Sequence, residues 1–193
     1  MEFQFATASR IVFGPGTSLE VPSLAAAMGR HALVLSGKDA GRVEGLAAGL
    51  RASGISVTHY SITREPTTDM VAEGTALARD KGCDLVVAQG GGSVIDAGKA
   101  IAALLTNEGG LFDYLEVIGK AGKIANPPAP CIAISTTAGT GTEVTRNAVI
   151  ISPEHQVKVS MRSDMMLPGS WWWTLSSPTP CPGKSPRARA STR

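Results

Sequence analysis

Three glycines and a serine, Gly90-Gly91-Gly92-Ser93, stand between a short apolar run and a helical pattern. The run Leu85-Val86-Val87-Ala88-Gln89 reads as a buried strand, and residues 93–104 read as a helix. Glycines at such a junction let the backbone turn sharply and leave room for something bulky beside it. Ser93 is placed to cap the helix, with Asp96 three residues on as its capping-box partner. Free N–H groups at that helix start favour an anion, a phosphate above all, and so point to a nucleotide site. Neither standard phosphate fingerprint is met. Ile95 stands where G-x-G-x-x-G requires its third glycine. Gly98-Lys99 is followed by Ala100 rather than Ser or Thr, with Ser93 in place of the first P-loop glycine. A turn that merely packs a helix on a strand is the competing explanation at this point.

The rest of the chain repeats the same alternation. Residues 11–13, 31–35, 55–62, 85–89 and 131–134 read as strands, and residues 19–28, 43–52, 68–81 and 93–104 as helices. Glycines or prolines punctuate the joints, as at Gly14-Pro15-Gly16, Gly54, Gly82 and Pro127-Pro128. Residues 148–151 and 157–161 read as a late β-hairpin. Strands alternating with helices imply an α/β fold with a Rossmann-like, mostly parallel sheet flanked by helices. Such a sheet takes its ligands outside the carboxyl ends of its strands. Gly37, the turn at residues 90–93 and the loop at residues 135–140 all follow strands, so one edge can gather them.

Composition narrows the field. The formal net charge of +2 is spread without a basic run before the tail, which argues against a nucleic-acid face. No charged-then-apolar leader opens the chain, and no apolar run is long enough to span a bilayer. Cys83, Cys131 and Cys181 are odd in number and unpaired in spacing, which fits a reduced, cytoplasmic setting. His31, His59 and His155 are scattered with no metal-binding spacing, so neither a metal site nor a catalytic residue is assigned.

The second loop, Thr136-Thr137-Ala138-Gly139-Thr140-Gly141-Thr142-Glu143-Val144-Thr145, is dense in hydroxyls that can donate to phosphate or ribose or satisfy their own backbone. Together with Gly90-Gly91-Gly92-Ser93-Val94-Ile95-Asp96-Ala97-Gly98-Lys99-Ala100, and with Phe13-Gly14-Pro15-Gly16 near the start, it resembles the iron-containing alcohol dehydrogenase family of the dehydroquinate synthase-like superfamily. The resemblance runs over about residues 3–168 with the order of elements kept. It implies a nucleotide-binding domain at 1–168, normally followed by a helical domain that supplies metal ligands and most of the substrate pocket. It implies hydride transfer between a small alcohol and an aldehyde or ketone, with NAD or NADP and a divalent metal, iron above all. Carried over, Gly91, Gly92 and Ser93 would cradle the pyrophosphate, and Thr136, Thr137 and Thr140 would contact the nucleotide. Asp96 matches a family position, and Asn147 and Lys158 would lie toward the ribose and nicotinamide. Members that prefer NAD often carry an acid near Gly37; here Gly37-Lys38 leaves NADP or dual use open, with Asp39 nearby. A homo-oligomer is left open, and no membrane or nucleic-acid partner is expected.

From Gly169 the text changes character: Trp171-Trp172-Trp173 leads into a tail of Pro, Ser and Arg without core periodicity. We expect an irregular segment over 169–193 and no helical domain in this chain. The codons offer a cause. Trp is always TGG and Thr codons begin with AC, so Trp171-Trp172-Trp173-Thr174 read two bases later gives Val-Val-Asp. Further on the second frame permits Pro-Glu-Leu-Thr-Tyr-Ser-Leu-Pro and then Thr-Gly-Leu-Asp-Ala, strings similar to the family's continuation. A frameshift just after Pro168 is the expectation, set against a genuine tryptophan docking patch. Two functional readings follow: a metal-dependent NAD(P) alcohol dehydrogenase or a maleylacetate reductase or glycerol dehydrogenase relative, and a non-catalytic NAD(P)-binding fragment of such an enzyme. Sequencing the gene across the Pro168 codon is expected to show the second open frame; bases that do not encode it would end the frameshift idea.

Overall fold

The computed structural model describes Phe3, Ala8, residues 10–167 and the backbone of residues 170–174. Six strands form a parallel sheet: β1 (Ile11–Gly14), β2 (His31–Ser36), β3 (Ser56–Ser61), β4 (Leu85–Gly90), β5 (Cys131–Ser135) and, last in the chain, β8 (Ser170–Thr174). Their spatial order is β1-β8-β5-β4-β2-β3. Between them run α1 (Val21–Ala26), α2 (Glu44–Ala52), α3 (Thr68–Asp80), α4 (Gly92–Thr106) and the single turn α5 (Leu111–Tyr114). The late hairpin is β6 (Asn147–Ser152) with β7 (Val157–Arg162), antiparallel and separate from the main sheet.

The central strands are apolar on both faces because both faces are covered. Leu33, Leu35, Val86 and Ala88 point into a core closed by α3, α4 and the hairpin, through residues such as Val71, Ile101, Ile150 and Met161. Ala32, Val34, Leu85, Val87, Ile132 and Ile134 alternate with them and face Val21, Ala25 and Leu50 of α1 and α2. Period-two side-chain alternation thus sorts one strand's residues into two cores.

Helix α4 buries Val94, Ile95, Ala97, Ile101 and Leu104 and packs against β4 and β5. A Cβ at Gly98 would sit 2.8 Å from the Ala88 Cβ and 3.4 Å from the Leu35 Cδ1. The glycine that lets helix and strand meet is therefore Gly98, a turn later than position 95, where the dinucleotide fingerprint places it. The same helix starts at Gly92, one residue before the expected start, with Gly91 as its extended N-cap and no side-chain cap. The expected Ser93–Asp96 capping box is absent: Ser93 is already inside the helix, and the Asp96 carboxylate is engaged by other elements.

Two further expectations change. The helix read over 19–28 is shorter, a 3-10 turn at Thr17–Glu20 passing into α1, with Pro22 in the first turn, where its missing N–H costs nothing. The segment 169–193 was expected to be irregular, yet Ser170–Thr174 forms β8 between β5 and β1. An open lane between two parallel strands offers ladder bonds on both sides, and tryptophan suits a strand. Residues 175–193 lie outside the described residues.

Strands β2, β3, β4 and β5 place the chain reversal between β2 and β4: the connection through α2 adds β3 on one side, and that through α3 returns to β4 on the other. In a doubly wound sheet the crevice outside the carboxyl ends of these two strands is the ligand site. Gly37 follows one strand and the turn at 91–93 follows the other. Because α4 is held there by its close approach to β4, Gly98→Val is expected to lower stability by about 1–3 kcal/mol, read as a reduced urea midpoint with unchanged slope.

Candidate functional site

The start of α4 and the hydroxyl-rich loop after β5 form one surface. The Thr136 amide donates to the Gly90 carbonyl at 2.9 Å, continuing the β4–β5 pairing past the strand ends. Ser135 Oγ donates to the Thr137 carbonyl at 3.0 Å and tightens the bend. A Cβ at Gly91 would lie 3.2 Å from Thr137 Oγ1, and one at Gly92 would lie 3.4 Å from the Thr140 Cβ. The glycines thus make room for the threonine loop. The loop turns back at Gly141, whose φ of 66° opens the 3-10 turn Thr142–Val144 in the left-handed region that glycine adopts without strain.

Above this contact, the first amides of α4 have no carbonyl one turn earlier to bond. Val94 and Ile95 donate to the Gly91 carbonyl, at 3.0 and 3.2 Å, and the amides before them open the helix. With the helix dipole behind them and hydroxyls of Thr137 and Thr140 beside them, they suit a phosphate. Across the crevice Gly37 is open: a Cβ there meets nothing within 4 Å. The nearby Asp39 is already engaged, accepting from the Gly41 amide at 3.0 Å and pairing with Arg42 at 3.4 Å.

Behind the loop is a group the sequence reading passed over. Lys99 is 2% exposed. Its Nζ donates to the Thr142 carbonyl (2.9 Å) and Oγ1 (3.2 Å), to the Thr145 carbonyl (3.3 Å) and Oγ1 (3.1 Å), and to the Asn147 carbonyl. It also stands 3.2 Å from Asp96 Oδ1. Asp96 accepts in turn from Thr142 Oγ1 and from the Val149 amide of β6, the latter at 3.2 Å. Burial pulls the Lys99 pKa below its ordinary value, and the Asp96 carboxylate opposes that shift. Burial pushes the neighbouring Cys131 thiol up to about 12, so it stays protonated and inert. The signal for Lys99 was present as Asp96-x-x-Lys99, a spacing that puts both side chains on one helical face.

The structure therefore gathers Gly91, Gly92, Ser93, Asp96, Thr136, Thr137 and Thr140 at one strand-end cluster, with Asn147 tied to it through Lys99. Gly37 follows β2, the strand beside β4 across the point where the chain order reverses. Lys158 stands apart. It is opposite Ile151 in the hairpin, about 13 Å along the strand from Asn147, and its ammonium pairs with Glu65 at 2.7 Å. Among the described residues no group of three or more His, Cys, Asp or Glu stands together to hold a metal ion, and no helix is long and apolar enough to cross a membrane. A cavity of about 310 Å³ beside Pro128, Cys131 and Met165 lies under the start of β5, away from the strand ends. Gly91→Val is expected to push Thr137 off the turn, costing about 1–3 kcal/mol and raising hydrogen exchange over 136–140; unchanged exchange would count against the contact.

The iron-containing alcohol dehydrogenase family matches residues 8–170. The chain is 43% identical over 118 residues to a 4-hydroxybutyrate dehydrogenase of Cupriavidus necator, covering 61% of this chain and 31% of that protein. Its structure is similar to a crystal structure of 1,3-propanediol oxidoreductase, with a TM-score of 0.81, 32% identity, and coverage of 90% of this chain and 46% of that one. It is also similar to a sulfoacetaldehyde reductase from Bifidobacterium kashiwanohense in complex with NAD+, with a TM-score of 0.79, 28% identity, and coverage of 90% and 46%. The chain thus spans less than half the length of these relatives.

Proposed function

Because the chain belongs to the iron-containing alcohol dehydrogenase family, we propose that its described residues form the dinucleotide-binding part of an NAD(P)-dependent oxidoreductase acting on a small alcohol or its aldehyde or ketone. The observation that carries this is the joint of the α4 start with the threonine loop at the crevice between β2 and β4. The relative solved with NAD+ shares the fold over 90% of this chain.

In this reading the amides of Gly92 and Ser93 take the pyrophosphate, where the helix N-terminus favours negative charge. Thr137 donates a hydroxyl bond to phosphate or ribose, Thr140 does so when its hydroxyl turns from Glu143 Oε2, to which it donates at 3.3 Å, and Thr136 is held by its backbone to extend the floor. Asp96 supports the loop through Thr142 and Val149 rather than touching the ligand. Asn147 and Lys158 belong to the nicotinamide side. Lys158 must leave Glu65 to reach it, a modest demand, since exposed pairs are worth about 0–1 kcal/mol. The bound dinucleotide supplies the hydride, and the protein's task is to hold and orient it. The described residues present no fit for a metal, so no step is assigned to one.

Cofactor choice turns on Gly37. With no side chain there and Asp39 engaged with Gly41 and Arg42, no carboxylate is aimed at a ribose 2′-phosphate. NADP is accepted, with or without NAD. In fluorescence titrations of the full chain, NADPH is expected to bind, and Gly37→Asp to weaken NADPH by about tenfold or more while sparing NADH. Binding of neither nucleotide would sink the proposal, and an unchanged NADPH affinity in Gly37→Asp would remove Gly37 from the site.

A further inference from the structure

Lys99 has no place in the phosphate cradle, yet it is among the largest fully buried side chains. Burying an ammonium costs several kcal/mol unless other groups compensate. Here the compensation is unusually complete. Six oxygens from Asp96, Thr142, Thr145 and Asn147 surround a group with only three N–H bonds. Three of the six are main-chain carbonyls, so the surroundings resemble a cation cage more than a simple ion pair. All but the Asp96 oxygen belong to residues 142–147, the segment joining the threonine loop to β6. Without the ammonium those carbonyls would converge on one another with no donor between them, and a buried acceptor left unpaired is destabilising. The segment would have to open, and Thr140, two residues upstream, packs directly on Gly92.

We propose that Lys99 is a positioning residue of the dinucleotide site: its ammonium is an internal cation around which residues 142–147 fold, and that fold sets where Thr137 and Thr140 meet the start of α4. The inference rests on the dinucleotide reading above. It distinguishes Lys99 from an ordinary buried side chain, because the missing part can be supplied from solution. Lys99→Ala retains Cβ and lacks three methylenes and the ammonium, which is the composition of n-propylammonium.

The test uses the full chain with two readouts: NADPH affinity by fluorescence, and hydrogen exchange over 142–149 without any nucleotide. Lys99→Ala is expected to lose protection over 142–149 while β2 and β4 stay protected, and to weaken NADPH by about tenfold or more. Added n-propylammonium chloride should restore both; n-propanol and sodium chloride at matched concentration should not. Unchanged protection in Lys99→Ala, or loss that n-propylammonium fails to restore, overturns the proposal. Should Lys99→Ala not fold, Thr145→Val removes one hydroxyl from the cage and leaves the lysine. Partial loss of protection and a smaller drop in affinity support the proposal, and no change in either overturns it. A native chain that binds neither NADPH nor NADH defeats the dinucleotide reading instead, and the nucleotide-free exchange then still reports whether the clamp exists.

Discussion

At Gly98 the backbone of α4 comes so near β4 that a methyl group there would lie within 2.8 Å of the Ala88 side chain. That approach fixes the height of the helix above the sheet and the direction of its N-terminus. The amides at Gly92 and Ser93 consequently open at the end of β4, at the point where the sheet order reverses. The other flank of the helix is left for the hairpin, whose Ala148 and Ile150 share a core with Ile101 and Ala97. A side chain at position 98 would lift the helix and separate these parts together.

On this rigid helix sits a polar node in an otherwise apolar region. Asp96 and Lys99 share a helical face, and between them they collect the Thr142 and Thr145 hydroxyls, three carbonyls and the Val149 amide. Desolvation of both charges offsets their attraction, so the node adds little net stability. Its firmer effect is geometric. A loop of threonines and glycines has many low-energy shapes, and a buried ammonium with fixed acceptors selects one. The segments so joined are more than forty residues apart in the chain.

Much of this was legible beforehand, for local reasons. Buried strands such as 31–35 and 131–134 declare themselves through unbroken apolar runs, and the strand at 55–62 through alternation, because these periods follow from backbone geometry. Two local readings failed where a neighbour decided the outcome. Ser93 and Asp96 have capping-box spacing, but the loop after β5 offers Asp96 a hydroxyl and the hairpin an amide, and these bonds win. The helix read over 19–28 is likewise cut short, since Thr17–Glu20 winds as a 3-10 turn before α1; the close packing at Gly98, which no fingerprint marks, depends on which face of α4 meets Ala88. The strand Ser170–Thr174 arises because β5 and β1 leave a lane for it, a vacancy that its own sequence does not encode.

The sequence by itself determined the alternating α/β order, the glycine turn at the end of β4, the hydroxyl-rich loop and the family to which these belong, because each is written in contiguous residues. Only the tertiary structure decided that the turn and the loop touch, that the space around Gly37 is open, that Lys158 pairs with Glu65, and that Lys99 ties residues 142–147 to α4. Those facts depend on distances between distant segments, which are set by how closely the helices and sheet can pack.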